Sequence, residues 1–416
     1  MNSLHKILVI TSILILAIFS NPAMVKADSQ TVEFSGVINN EKNKKAIGNV
    51  SVTVPGTNIG TVTNSDGFFK LKIPASSVKN GIKIEQIGYQ NLEMPLDHRN
   101  PSLQIFLQPS AKELKEVLVL GGNPRDIVEA AIKKIPQNYS DKDDLFSGFY
   151  RETVQKGNRF ISISEAIVDI LKRPYDRRTT RGEKVKINRG RKLVSPKPAD
   201  TLGVKLMGGP YIPLALDAVK NGDHLFTIEE IDNFQFRMEG GETIDGRPHY
   251  SISFRPTADL PYPLNQGILY IDGENLSISR VEFQLDMKDK AKVTRSILQK
   301  KPMGLKFKPL EVSGIVTYIT VDGKSYINYI SSKMRFKCDW KKRLFSSTYT
   351  SHAEMVMVDR NNYKDLNSNF NDSFGNRKIF SDLVENYWDE NFWNDYNIIE
   401  PTESLEKAVD KLRKVY

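Results

Sequence analysis

Between residues 32 and 108, apolar and polar positions alternate in short runs: 32–38, 49–54, 58–63, 68–73, 81–87 and 103–108. Val50, Val52 and Val54 carry one run, and Phe69, Leu71 and Ile73 another. A period of two marks strands with one buried face. Turn residues separate the runs at Pro55-Gly56, Asp66-Gly67 and Gly81, where a tight reversal favours positive φ. The glycines of GTNIGTVTNSDGFFKLKIP therefore read as turns. A phosphate loop would need Gly, four residues and Gly-Lys-Ser/Thr at the mouth of a helix. The spacing predicts a small all-β sandwich.

The period then changes. Gly121-Gly122 breaks the run ending Leu118-Val119-Leu120, Asn123 caps and Pro124 opens a helix, and Ile127, Val128, Ala131, Ile132 and Ile135 form one apolar face before Pro136 stops it. From Leu145 to about Met357 strands return, several of them long, with turns at Asp245-Gly246, Asp272-Gly273 and Asp322-Gly323. Hairpins without intervening helices predict a large antiparallel, curved sheet. It is interrupted over about 173–224 by a basic, irregular insertion whose LALDAV segment has helical character. The tail is polar over Asn361–Asn376 and aromatic-acidic around Tyr387 to Tyr396. Leu405, Ala408, Val409 and Leu412 mark a closing amphipathic helix. The fold class expected is thus mainly β, divided into a signal segment at 1–27, a sandwich at 28–108, a helical connector at 109–140, a large β domain at 141–360 and an aromatic, helical tail at 361–416.

The signal segment rests on Lys6, the apolar run Ile7–Phe19 and Val25-Lys26-Ala27, which follow the order of a secretory leader with cleavage after Ala27. A run of this length falls short of the roughly 20 residues that span a bilayer. The expected location is the periplasm, associated with the outer membrane. Cys338 is the only cysteine, so an intrachain disulfide is excluded and the core alone must hold the fold. The net charge of +9 favours anionic lipid, glycolipid or acidic partners over nucleic acid outside the cytoplasm.

Gly36-Val37, Ala46-Ile47-Gly48-Asn49-Val50-Ser51-Val52, Gly56-Thr57, Gly60-Thr61-Val62-Thr63, Asp66-Gly67-Phe68 and Gly88-Tyr89 resemble the carboxypeptidase D regulatory-like domain. The resemblance implies a non-catalytic, transthyretin-like sandwich of the kind that opens many TonB-dependent receptors and envelope proteins of Bacteroidota, and an envelope protein or outer-membrane receptor as partner. Ala46 stands where that family commonly has proline. Downstream, Tyr150-Arg151-Glu152-Thr153, Ser164-Glu165-Ala166 and Tyr270-Ile271-Asp272 resemble an envelope family of unknown function. The last of these also resembles lipoprotein-carrier folds, which enclose acyl chains.

Candidate chemistry is sparse. His98, His224, His249 and His352 contain no pair at i, i+4 and there is no Cys-x-x-Cys, so neither metal nor cofactor is expected. No Gly-x-Ser-x-Gly elbow occurs, and Cys338 reads as an inert strand residue. Glu165 and Asp169 share a strand face. They suit a glycoside-cleaving pair or, on the plainer reading, a solvated face. Arg177, Arg178, Arg181, Lys184, Lys186, Arg189, Arg191 and Lys192 form the densest cationic segment, suited to anionic lipid or partner contact, each cation near an anionic surface contributing about 1 kcal/mol. Tyr387, Trp388, Phe392, Trp393 and Tyr396 suit either a sugar platform or a helix face packed on the core. The function expected is non-catalytic binding or scaffolding in the envelope. A lipid or lipoprotein carrier and an envelope glycan or peptide hydrolase remain as alternatives.

Overall fold

The computed structural model describes residues 31–416 apart from 58, 111–121, 198–199, 201–206, 223–226, 245–246, 299–302, 342–345, 363–369, 389–395 and 414–416. The signal segment, Leu118–Leu120, His224, the Asp245-Gly246 turn, Phe392 and Trp393 lie outside the described residues.

Seven strands build the N-terminal unit: β1 (Thr31–Asn40), β2 (Ser51–Thr53), β3 (Gly60–Val62), β4 (Phe68–Pro74), β5 (Ile82–Glu85), β6 (Leu92–Met94) and β7 (Ser102–Leu107). They pair as two sheets, β4-β1-β7 and β3-β2-β5-β6, with β1 and β7 parallel. Phe34, Val52, Phe69, Leu71 and Ile84 meet between them as the core. The Asp66-Gly67 reversal forms as expected. Asn64 Oδ1 accepts from the amides of Asp66 and Phe68 at 2.9 and 3.0 Å, and Gly67 takes φ of 75°. Strand β6 is an addition to the expected set. Its three residues lie at a sheet edge and show no periodicity long enough to read.

The second unit is one ten-stranded antiparallel sheet of β8 (Asp144–Lys156), β9 (Arg159–Lys172), β10 (Lys184–Val194), β11 (Phe234–Ile244), β12 (Arg247–Pro256), β13 (Asn265–Asp272), β14 (Ile278–Leu285), β15 (Leu305–Val321), β16 (Lys324–Trp340) and β17 (Ser347–Asn362). Its order is β10-β9-β8-β17-β16-β15-β14-β13-β12-β11, so the first strand of the unit pairs with its last. At the β15–β16 hairpin, Asp322 and Gly323 both take positive φ, 50° and 75°, which matches the twist of the flanking strands.

The two faces of this sheet bear different cargo. One carries the main core, where Tyr150, Val168, Ile170, Leu269 and Ile330 pack with the helix Pro124–Lys133, the short helix Tyr211–Ala215 and Phe380. Asn123 caps the first helix, its Oδ1 accepting from Arg125 N at 3.1 Å. Pro136 does not end the helical run. A short helix, Ile135–Asn138, follows with the proline in its first turn, where a missing N–H costs nothing. The other face receives the N-terminal unit. Val62 of β3 packs there with Phe149, Ile167, Tyr329 and Val356, joined by Ile398 and Ile399 from the tail.

The tail fastens this junction. Asn397 bonds the backbone of Lys72 in both directions, accepting from its N–H at 2.7 Å and donating to its carbonyl at 3.0 Å. Ile398 O accepts from Thr61 Oγ1, Pro401 O from Asn64, and the Asp66 carboxylate from Glu403 N. The closing helix Glu403–Arg413 forms as its spacing predicts, placing Leu405, Val409 and Leu412 on Ile163 and Leu193.

Candidate functional site

A cleft of about 390 Å³ opens between the outer face of the β3-β2-β5-β6 sheet and the large sheet's second face. The sandwich lines it with Ser51, Thr53, Lys83 and Glu85, which are held in register by the β2–β5 pairs Ser51↔Glu85 and Thr53↔Lys83. Opposite lie Arg247, His249, Ser279, Arg280, Thr317 and Asn328. Two of these sit at irregularities. Ser279 falls in the register break after Tyr270/Arg280 and Asn328 in the break between Thr317 and Tyr318, and a bulge re-aims a side chain in this way. His249 ties the far wall together, with Nε2 2.7 Å from Ser279 Oγ and Nδ1 3.0 Å from the carbonyl of Arg247. Nothing in the linear sequence joins these residues, because the two walls come from separate units.

The charged clusters are internal. Glu165, expected on a solvated face, is fully buried. Arg151 Nε reaches Oε1 at 2.6 Å and Arg191 Nε reaches Oε2 at 2.5 Å. Burial pushes its carboxyl up, but the two guanidiniums outweigh that and hold it below the usual carboxylate range. The face is covered because the tail and sandwich dock upon it. Asp169 does not join Glu165. It accepts from Ser147 Oγ at 3.0 Å, leaving the pair without the shared opening a glycosidase needs.

A second network closes the 173–224 insertion onto the opposite face. Lys172 Nζ lies 2.9 Å from Glu183 and 2.7 Å from Asp217, while the hydroxyls of Tyr175 and Tyr318 donate to Asp217 at 2.9 and 2.7 Å. Tyr139 stacks on Tyr175 and meets Tyr318 edge-on. Asp217 is held low against burial by Lys172, whereas Glu183 is raised because burial dominates. Lys220, pushed down to about 8 by burial, donates to the carbonyls of Pro174 and Arg177.

The cationic segment is not one irregular excursion, since most of it is strand β10. Val185 and Ile187 face the main core, but beyond a register shift after Ile187 the next apolar side chain of the alternation, Leu193, packs under the closing helix on the other face, which it shares with Arg189 and Arg191. Arg191 is committed to Glu165, Arg178 donates to the carbonyls of Ala218 and Val219, Lys192 pairs with Glu385 and Arg189 lies over the Tyr396 ring. Lys184 and Lys186 are half-buried on β10, and Arg177 and Arg181 are exposed before it. The eight residues are thus shared among six environments.

LALDAV is helical only at its first two residues, since the helix ends at Ala215 and Asp217 turns into the buried network. Trp388 is 53% exposed at the end of a short 3-10 turn, while Tyr387 packs against the main core. Cys338 is buried in β16, its thiol pushed up to about 11 by burial. Among the described residues no group of three or more His, Cys, Asp or Glu is placed to hold a metal ion, and no helix is long and apolar enough to cross a membrane.

Residues 34–119 match the CarboxypepD_reg-like domain family, and the seven-stranded N-terminal unit is a domain of that class. A 97-residue stretch is 30% identical to the TonB-dependent receptor SusC of Bacteroides thetaiotaomicron, covering 23% of this chain and 9% of that receptor. The chain therefore spans about a tenth of the curated relative it matches. Among solved structures, a DUF1329 family protein from Desulfovibrio piger aligns over 59% of this chain and 95% of its own at 9% identity and a TM-score of 0.26. A LolA superfamily protein from Nitrosomonas europaea aligns over 57% and 94% at 11% identity and a TM-score of 0.20. At scores this low, neither bears on function.

Proposed function

We propose that the protein is a non-catalytic, exported envelope protein that holds a ligand or partner between its regulatory-like domain and its large sheet, on the periplasmic side of the outer membrane. The observation that carries this reading is the cleft, walled by two β units that the tail fixes to one another. Export is supported by the leader-like order of Lys6, Ile7–Phe19 and Val25–Ala27, and envelope location by the regulatory-like domain and its likeness to a TonB-dependent receptor.

The packing weighs against the alternatives. Carriage of an acyl chain inside the large sheet needs an apolar hollow, and the face that would provide it holds the Tyr139–Tyr175–Tyr318 cluster, the Lys172 network and several helices. Hydrolysis by Glu165 needs a carboxyl that reaches substrate, and Glu165 is enclosed by two arginines.

The test is a photo-reactive amino acid at Thr53, on the cleft, set against one at Met303, which is 97% exposed elsewhere. In intact envelopes Thr53 is expected to yield a discrete cross-link that Met303 lacks, in the fraction released by osmotic shock. Equal, diffuse cross-linking from both positions, or turnover of an envelope polymer that Glu165→Gln abolishes, defeats the proposal.

A further inference from the structure

The composition of the two cleft walls narrows what can enter. Thr53 lines one side with a hydroxyl, Thr317 and Ser279 the other, with Asn328 beside them. Ser51 Oγ, on the same strand as Thr53, is shielded from solvent and has no hydrogen-bond partner among the described residues. The rim cations are paired, Lys83 with Glu85 at 2.8 Å, Arg247 with Asp272 at 2.9 Å and Arg280 with Glu282 at 2.8 Å, and Glu93 and Asp322 add further carboxylates to the lining. A phosphate or polyanion meets no uncompensated cation in these three pairs. Ile59, Ile87 and Ile319 add aliphatic surface. The rings in the lining, Tyr318 and Tyr329, are buried with hydroxyls committed to Asp217 and Glu354, so they offer no stacking platform to a sugar or base.

We infer that the cleft receives a short, extended peptide segment without acidic side chains, bearing mixed hydroxyl and aliphatic side chains and lying between the two sheet faces with its backbone amides meeting the Thr, Ser and Asn side chains of both walls. A volume of about 390 Å³ falls within the ~300–1,000 Å³ of small-ligand pockets, enough for a few residues and not for a folded domain. This rests on the reading of the chain as a binding protein and adds the class of ligand.

The probe is acetyl-Val-Thr-Val-Thr-amide carrying a photo-reactive diazirine, titrated against the full chain, irradiated and mapped by tandem mass spectrometry. Saturable labelling is expected on both walls, in peptides bearing Ser51–Thr53 and Ser279–Arg280. It should fall at least tenfold in Ser51→Trp and in Thr317→Trp, which fill the slot from opposite sides and whose melting curves report their folding. Excess maltotriose or dioleoylphosphatidylglycerol vesicles should leave it unchanged. Labelling of the unsubstituted chain that fails to saturate or maps outside the cleft overturns the inference whatever the variants do, as does persistence in both folded variants. Displacement by maltotriose or by vesicles also overturns the peptide assignment while leaving a binding protein with another ligand. Absence of an envelope cross-link at Thr53 is the separate result that removes the binding reading itself.

Discussion

Arg151, in the middle of β8, donates from Nη2 to the backbone carbonyl of Ile399 at 2.8 Å, although 248 residues separate them. The same guanidinium binds Glu165 and, at 3.2 Å, Glu354. A buried charge in the large sheet thus specifies where the tail lies, and the tail specifies where the sandwich lies.

Replacing Glu165 tests the centre of this arrangement. Glu165→Ala leaves Arg151 and Arg191 facing each other without their shared anion, and removing one partner of a buried ion pair costs about 3–5 kcal/mol. Chemical denaturation should show a loss of that order. An effect below about 1 kcal/mol would mean that the site is hydrated and open. Because the folded carboxyl titrates below its ordinary value of 4.5, its contribution is full above that pH and is lost as pH falls through the lower folded value.

Glu152 predicts the opposite slope. Burial raises its carboxyl to about 7, against a hydrogen bond from Tyr150 and the charge of Lys192, with Asp382 pushing the same way as burial. The folded chain therefore holds this proton more tightly than the unfolded chain. Stability from this group is full below about pH 4.5 and falls as pH rises toward about 7, by at most about 1.4 kcal/mol per pH unit. Melting temperature should decline across that window, and Glu152→Gln should flatten the decline. A parallel decline in the variant would assign the slope to another group.

Asn397→Ala removes both hydrogen bonds to the Lys72 backbone and leaves that backbone partly unpaired. A loss of about 1–3 kcal/mol is expected, with earlier proteolytic release of the N-terminal domain than of the large sheet. Unchanged cleavage order would show that the Val62 contact alone secures the junction.

Gly67→Ala probes the turn that the sequence announces most plainly. An added Cβ would lie 2.5 Å from the carbonyl of Ile38, at a φ of +75°. Strain of about 1–3 kcal/mol is expected, read as a lower denaturation midpoint for the sandwich. A neutral result would mean that the hairpin relaxes around the methyl group.

The strands and their reversals were legible because a buried face writes every second residue and a tight turn writes Asp-Gly. Asp66-Gly67 and Asp322-Gly323 both follow this rule. The closing helix was legible through Leu405, Val409 and Leu412 for the same reason. Strand β10 was not, since cations on one face and a register shift after Ile187 break the alternation. The burial of Glu165 and the cleft were not legible either. Whether a strand face meets water depends on what docks there, and β3 and the tail reach that face from opposite ends of the chain. Spacing along the chain does not encode such encounters.

The seam between β8 and β17 sets a schedule for the chain's own maturation. Arg151 and Glu354 meet across it from 203 positions apart, so β8 has no neighbour on that side until nearly the whole polypeptide exists. Until then its bare edge invites pairing with any other chain nearby. A polypeptide shortened before residue 347 never gains that neighbour, which makes premature termination a cause of aggregation and not merely of lost length.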